Sequence, residues 1–223
     1  MKQNSRLFET ISWVLRNRKG QAKQFPLAML AAVLSALATF GHAAAEDFAY
    51  CTVCHGATGN GNIAIRAPKI AGLEPWYVKR QLEAFASGAR GGHTEDFAGQ
   101  EMRPIGVRLG VEGSVDVAVR YVQSLRPRAV AATIDGDLER GKTLYSTCAS
   151  CHGARAEGNA SLQAPALASR NDWYLVQQLE NFRSGSRGVH PQDMYGAQMR
   201  AAVTVLPDER AARDVVAFIN SLE

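Results

Sequence analysis

All four cysteines of this 223-residue chain fall in two pentapeptides of one form, Cys51-Thr-Val-Cys54-His55 and Cys148-Ala-Ser-Cys151-His152, offset by 97 residues. Sliding the chain by that offset superimposes far more than the pentapeptides. From 51 to 103, 25 of 53 positions are identical without a gap, where average composition would give roughly three or four. The matches include Gly61-Asn62 on Gly158-Asn159, Pro68 on Pro165, Trp76-Tyr77 on Trp173-Tyr174, and Met102-Arg103 on Met199-Arg200. The register holds to Ser124-Leu125 on Ser221-Leu222. Two copies make a tandem duplication and not a solenoid.

The CxxCH pattern reads as covalent attachment of haem c. Two thiols spaced by two residues lie along one helical turn, so both can add to the vinyl groups on one porphyrin edge. The following histidine is carried under the ring, where its imidazole can bind iron. A redox-active dithiol needs no histidine. A zinc site built from all four cysteines would have to unite the two distant pairs and would leave His55 and His152 without a role. The expected cofactors are therefore two covalently bound haem c groups, on Cys51/Cys54 and Cys148/Cys151, with His55 and His152 as proximal iron ligands.

Residues 1–45 have the form of a secretory signal: a basic stretch, the 14-residue apolar run Leu27–Phe40, then small residues. The run is shorter than the ~20 residues that span a bilayer, so cleavage is favoured over an uncleaved anchor, and a periplasmic location follows for a bacterial source. The formal charge of +4 is a property of this segment. Without it 19 basic and 20 acidic residues remain, which gives no ground for a nucleic-acid partner. Peripheral association with a membrane is left open. The expected organisation is a signal peptide at 1–45, one haem domain at 46–128, a linker at 129–136, and a second haem domain at 137–223. The break falls around Pro127–Ile134, which lacks amphipathic period.

The pattern is helical and no run reads as strand. A helix is expected over Asp137–Ser150, with Leu138, Leu144 and Tyr145 available to pack. Trp173, Val176, Leu179 and Phe182 form a stripe that Gly185 stops. A last helix opens at Pro207-Asp208-Glu209 with Ala212, Val215, Val216, Ile219 and Leu222 inward. Ser114 can cap its counterpart, which packs Val115, Ala118, Val119, Val122 and Leu125.

Candidates for the sixth iron ligand are few. Met102 and Met199 are equivalent across the repeat, whereas Met194 falls opposite Phe97 and reads as a packing side chain. His93 and His190 are also equivalent, so bis-histidine ligation stands as a rival. Both sit in a glycine-rich loop, where a polar exposed role is the default. Methionine sulfur favours ferrous iron and raises the potential. Pro68 and Pro165 fit either a rigid turn or a neighbouring carbonyl that accepts the proximal histidine N–H. Arg90 and Arg187 fit either haem propionates or the surface.

Over 46–223 these residues resemble the cytochrome c4 family. The resemblance rests on the paired CxxCHG, on Ala-Pro-x-Ile/Leu-Ala at 67–71 and 164–168, on Gln-Leu-x-x-Phe-x-x-Gly at 81–88 and 178–185, and on the methionine before each last helix. It implies an all-α fold of two tandem class I cytochrome c domains related by an approximate twofold. It implies His55/Met102 and His152/Met199 as axial pairs, with the Pro68 and Pro165 carbonyls on the histidines. It also implies a quinol-oxidising complex or dehydrogenase as electron donor and a terminal oxidase as acceptor. The first half departs from the pattern, because only five residues separate Cys51 from the signal, too few for a full N-terminal helix.

Three functions compete: a diffusing dihaem carrier, the dihaem electron-transfer subunit of a larger oxidoreductase, and an enzyme such as a dihaem peroxidase. The last needs one open axial position, and the near-identical segments around Met102 and Met199 give no sign of that asymmetry. The expectation is an electron carrier and not an enzyme.

Overall fold

The computed structural model describes residues 48–222, and these are helical. Among them there is no strand, only two isolated antiparallel bridges, Asn62 to Ala67 and Asn159 to Ala164. The proposed signal at 1–45 lies outside the described residues. No helix among those described is long and apolar enough to cross a membrane.

The first half contributes α1 (Tyr50–His55), α2 (Pro75–Ser87), α3 (Phe97–Val111) and α4 (Val115–Ser124). The second contributes α5 (Leu138–His152), α6 (Asp172–Ser184), α7 (Met194–Ala202) and α8 (Glu209–Asn220). Each half has its own core. Val78, Leu82, Leu109 and Val122 centre the first, and Tyr145, Leu175, Val215 and Ile219 centre the second. Helix α8 runs as the sequence suggests: Asp208 accepts from the Ala211 N–H at 2.7 Å, and Ala212, Val215, Val216 and Ile219 are buried.

Three local expectations are corrected. On α6 the core takes Leu175, Val176 and Phe182, while Trp173 and Leu179 are only half-buried. A strict three-residue spacing lags about 60° per step around a 3.6-residue helix, so one stripe cannot face one core throughout. Ser114 precedes α4, but its hydroxyl makes no cap and donates to Leu109 O at 3.5 Å instead. Leu138 is about half exposed at the open start of α5, where nothing covers it.

Helix α1 has six residues where α5 has fifteen. The missing turns cost the first half an anchor. In the second half Arg140 on α5 reaches the buried Asp214 of α8 at 2.9 Å, and the Asp137 N–H donates to the same carboxylate at 2.8 Å. The repeat position of Asp214 is Val117. Among the aromatic contacts common to both halves, Phe48 meets Tyr121 at 6.2 Å between ring centroids, and their equivalents Tyr145 and Phe218 meet at 5.5 Å.

The halves touch through reciprocal pairs, the signature of a twofold relation in which i meets j and j meets i. Gln81 accepts from Arg187 and Gln178 from Arg90. The Lys69 N–H donates to Asn171 Oδ1 at 2.6 Å, and the equivalent Ala166 N–H donates to Glu74 Oε1 at 2.7 Å. Residues between α4 and α5 carry no helix and are held at both ends. Asn60 accepts from the Arg128 N–H at 2.9 Å, and Asp172 accepts from the backbone N–H groups of Thr133 and Ile134.

Candidate functional site

Helices α1 and α5 each end on the CxxCH histidine. The next residue, Gly56 or Gly153, sits at φ 81° and 83° with ψ 150° and 156°, a region essentially reserved for glycine. A side chain at Gly56 would also strike Gly61 O at 2.9 Å. From this break the chain folds back. The Gly61 and Gly158 N–H groups each donate to the preceding histidine carbonyl at 2.8 Å. Asn62 and Asn159 then bridge to Ala67 and Ala164 while their side chains cap short turns. The result delivers Pro68 O to His55 Nδ1 at 2.6 Å and Pro165 O to His152 Nδ1 at 2.7 Å.

Both imidazoles are buried. Burial holds their pKa values below the ordinary histidine value, against the opposing pull of the proline carbonyls. A neutral ring that donates from Nδ1 keeps its lone pair on Nε2, the state a metal requires. In the second half Nε2 is sealed from water and has no partner among the described residues. An orphaned buried acceptor of this kind carries a desolvation cost, which an iron at that atom removes.

The four thiols form no disulfide. Cys51 and Cys148 are half-buried, and Cys54 and Cys151 are exposed. Burial pushes the Cys51 thiol up to about 11 and raises Cys148 as well. A reactive dithiol needs a lowered thiol pKa, so these surroundings do not suit thiol–disulfide exchange. They suit sulfurs that end as thioethers.

Met102 and Met199 are half-buried on α3 and α7, and Met102 packs on the first core. Both helices are set by the same device, with Asp96 accepting from the Gly99 N–H at 3.1 Å and Asp193 from the Gly196 N–H at 2.8 Å. Met194 is 60% exposed, as is its counterpart Phe97 at 69%, so neither packs. They sit at the first residue of their helices, on the outer side. His93 and His190 close local turns, each accepting at Nδ1 from the N–H two residues on, at 3.2 Å.

Arg90 and Arg187 are not surface residues: they are 6% and 8% exposed between the halves. Arg90 gives Nη1 to Gln81 at 2.8 Å, and Arg187 gives Nη1 to Gln178 at 2.6 Å. Their guanidinium groups lie over Phe85 and Phe182. Both Nε atoms are buried without a partner, and neither arginine pairs with a carboxylate among the described residues. Buried Asp96 acts electrostatically on Arg90, and the spare Nε donor of each arginine suits a further anion. The sequence left the arginines open. It missed Gln81, Gln178, Glu74 and Asn171 as contacts, although the first two stand at identical repeat positions beside the identified stripe.

The Cytochrome c family matches residues 138–223. The chain is 32% identical to the thiosulfate dehydrogenase electron acceptor of Stutzerimonas stutzeri, over 68% of this chain and 71% of that protein. It is 27% identical to cytochrome c4 of the same species, over 62% of this chain and 70% of that protein. The crystal structure of reduced recombinant cytochrome c4 from Pseudomonas stutzeri superimposes with a TM-score of 0.62 at 23% identity, covering 82% of this chain and 98% of that one. Covalent haem c fits the buried imidazoles, the paired thiols and the orphaned donors. The protein is an electron-transfer cytochrome with two tandem class I cytochrome c domains, and the chain belongs to the cytochrome c4-like family of dihaem c-type cytochromes.

Proposed function

We propose that this protein is a periplasmic dihaem carrier that takes single electrons from a dehydrogenase or quinol-oxidising complex and passes them to an acceptor such as a terminal oxidase. The observation that carries the proposal is the twinned histidine geometry, with Nδ1 fixed on Pro68 or Pro165 and Nε2 left for iron. In this reading Cys51, Cys54, Cys148 and Cys151 form the thioethers. His55 with Met102, and His152 with Met199, would hold the two irons. The two haems supply a reversible one-electron iron couple. The chain holds each imidazole neutral and fixed, keeps water from the ring, and presents the Arg90 and Arg187 Nε donors to the propionates. With an imidazole and a thioether for each iron, this reading would leave no ligand position for a substrate. The histidines of the 93 and 190 turns already accept a backbone N–H, which favours methionine as the sixth ligand.

The name of the S. stutzeri relative favours a dehydrogenase of the thiosulfate-oxidising class as donor, and it supports a second reading, in which the protein works as a subunit of such an enzyme. The decisive experiment uses the mature native protein. Its mass should show two haems that acid acetone does not extract, and the oxidised form should show a weak far-red sulfur-to-iron band. Gel filtration of the periplasmic fraction then separates the two readings, since a free carrier elutes alone and a subunit elutes with its dehydrogenase.

A further inference from the structure

The peptide group that follows each proline faces two ways. The Pro68 carbonyl takes the His55 ring, and the N–H of the same peptide, on Lys69, donates to Asn171 of the other half. The Pro165 carbonyl takes the His152 ring, and the N–H of that peptide, on Ala166, donates to Glu74 of the first half. Two three-part chains therefore cross between the halves in opposite directions. They match in geometry and differ in charge, because one ends on a neutral amide and the other on a carboxylate.

We infer that Glu74 and Asn171 tune the two haems unequally across the domain interface, with the Glu74 carboxylate lowering the reduction potential of the second haem. A carboxylate on the Ala166 N–H polarises the peptide and makes the Pro165 carbonyl a stronger acceptor. A stronger acceptor at Nδ1 makes His152 a more basic ligand. The ferric state carries one more positive charge than the ferrous state, so a basic ligand and a nearby negative charge both favour it. Asn171 provides the same hydrogen bond without the charge.

Two further observations bear on the asymmetry. The second oxygen of Glu74, Oε2, is buried with no hydrogen-bond partner among the described residues. Glu74 also lies within electrostatic reach of His152. These are positioning residues that act through a peptide, and neither touches the iron.

The inference rests on the histidine and haem assignment above, and its test keeps the two apart. The mature holoprotein is titrated potentiometrically as wild type, Glu74→Gln and Asn171→Asp, with haem content and the far-red band measured on each. A parallel Met199→Ala chain identifies the second haem, whose potential falls when its sulfur ligand is lost. Glu74→Gln should shift the ferric–ferrous equilibrium of the second haem about three- to tenfold toward ferrous, about 30–60 mV at 59 mV per tenfold, and leave the first unmoved. Asn171→Asp should shift the first haem alone in the opposite direction. Two bound haems with neither potential moved, or with both moved equally, overturns the inference. Fewer than two haems in the wild type overturns the haem assignment instead. If Glu74→Gln does not fold, the Asn171→Asp result decides alone.

Discussion

Arg90 and Arg187, one from each half, converge on the same two glutamine side chains. Gln81 Oε1 receives Arg90 at 2.8 Å and Arg187 at 3.0 Å, and Gln178 Oε1 receives Arg187 at 2.6 Å and Arg90 at 3.3 Å. Each glutamine oxygen therefore bridges both halves. Gln81→Ala strips one acceptor from two buried cations, and hydrogen bonds to charged groups contribute about 1.5–3 kcal/mol each. We expect unfolding midpoints in urea to fall by an amount equivalent to about 3–6 kcal/mol, with the slope unchanged. Gln81→Ala and Gln178→Ala should combine non-additively, since they share both partners.

The axial assignment separates four methionine and histidine variants. Met102→Ala and Met199→Ala should each remove about half of the far-red absorbance and lower one of the two potentials. Met194→Ala and His190→Ala should leave both readings in place. A Met199 variant with unchanged band and potentials, beside a His190 variant in which one potential moves, would return bis-histidine ligation to the second haem.

Asp172 should contribute to the acid stability of the second half. Burial raises its pKa, but hydrogen bonds from the Thr133 backbone and hydroxyl, the Ile134 N–H and the Trp173 N–H outweigh that and bring it below the ordinary 3.8. A carboxyl with a depressed native pKa contributes stability that is present above its unfolded value and is lost as pH falls through the native value. Urea melts should show wild-type stability level down to about pH 4 and falling below it. Asp172→Asn should be less stable at neutral pH and lose less on further acidification. A variant with the same acid profile as wild type would assign the low-pH loss elsewhere.

Gly106 marks where α3 crosses α2 most closely. A methyl group there would lie 2.7 Å from Phe85 Cβ and 2.8 Å from the Ala86 nitrogen. Backbone cannot yield as a flexible side chain does, so Gly106→Ala should destabilise the first half by about 1–3 kcal/mol. The equivalent Val203 fits, buried, in the second half. Hydrogen exchange should therefore rise in α2 and α3 and not in α6 and α7.

The parts of this molecule that obey a short-range rule could be read from its residues. The CxxCH spacing, the equivalence of Met102 with Met199 and the face of α8 are each local patterns, and the duplication doubled every signal. The brevity of α1 followed from the position of Cys51. What could not be read depends on residues about a hundred positions away. Arg90 looked ambiguous because its burial is provided by the other half. Glu74 and Asn171 escaped notice because the repeat changes identity there, and their shared task is a hydrogen bond to a backbone group that no side-chain pattern announces. Ser114 stood in a capping position, but the fate of its hydroxyl is decided by the approach of Leu109 O.

The six-residue α1 bears on the order in which the protein can be assembled. Synthesis from the N-terminus produces first the half with the shorter entry helix, without a counterpart to Arg140–Asp214 and with Arg90 and the Lys69 N–H awaiting partners. Those partners, Gln178 and Asn171, emerge about ninety to a hundred residues later. The earlier-made half is thus completed by hydrogen bonds that only the later-made one supplies.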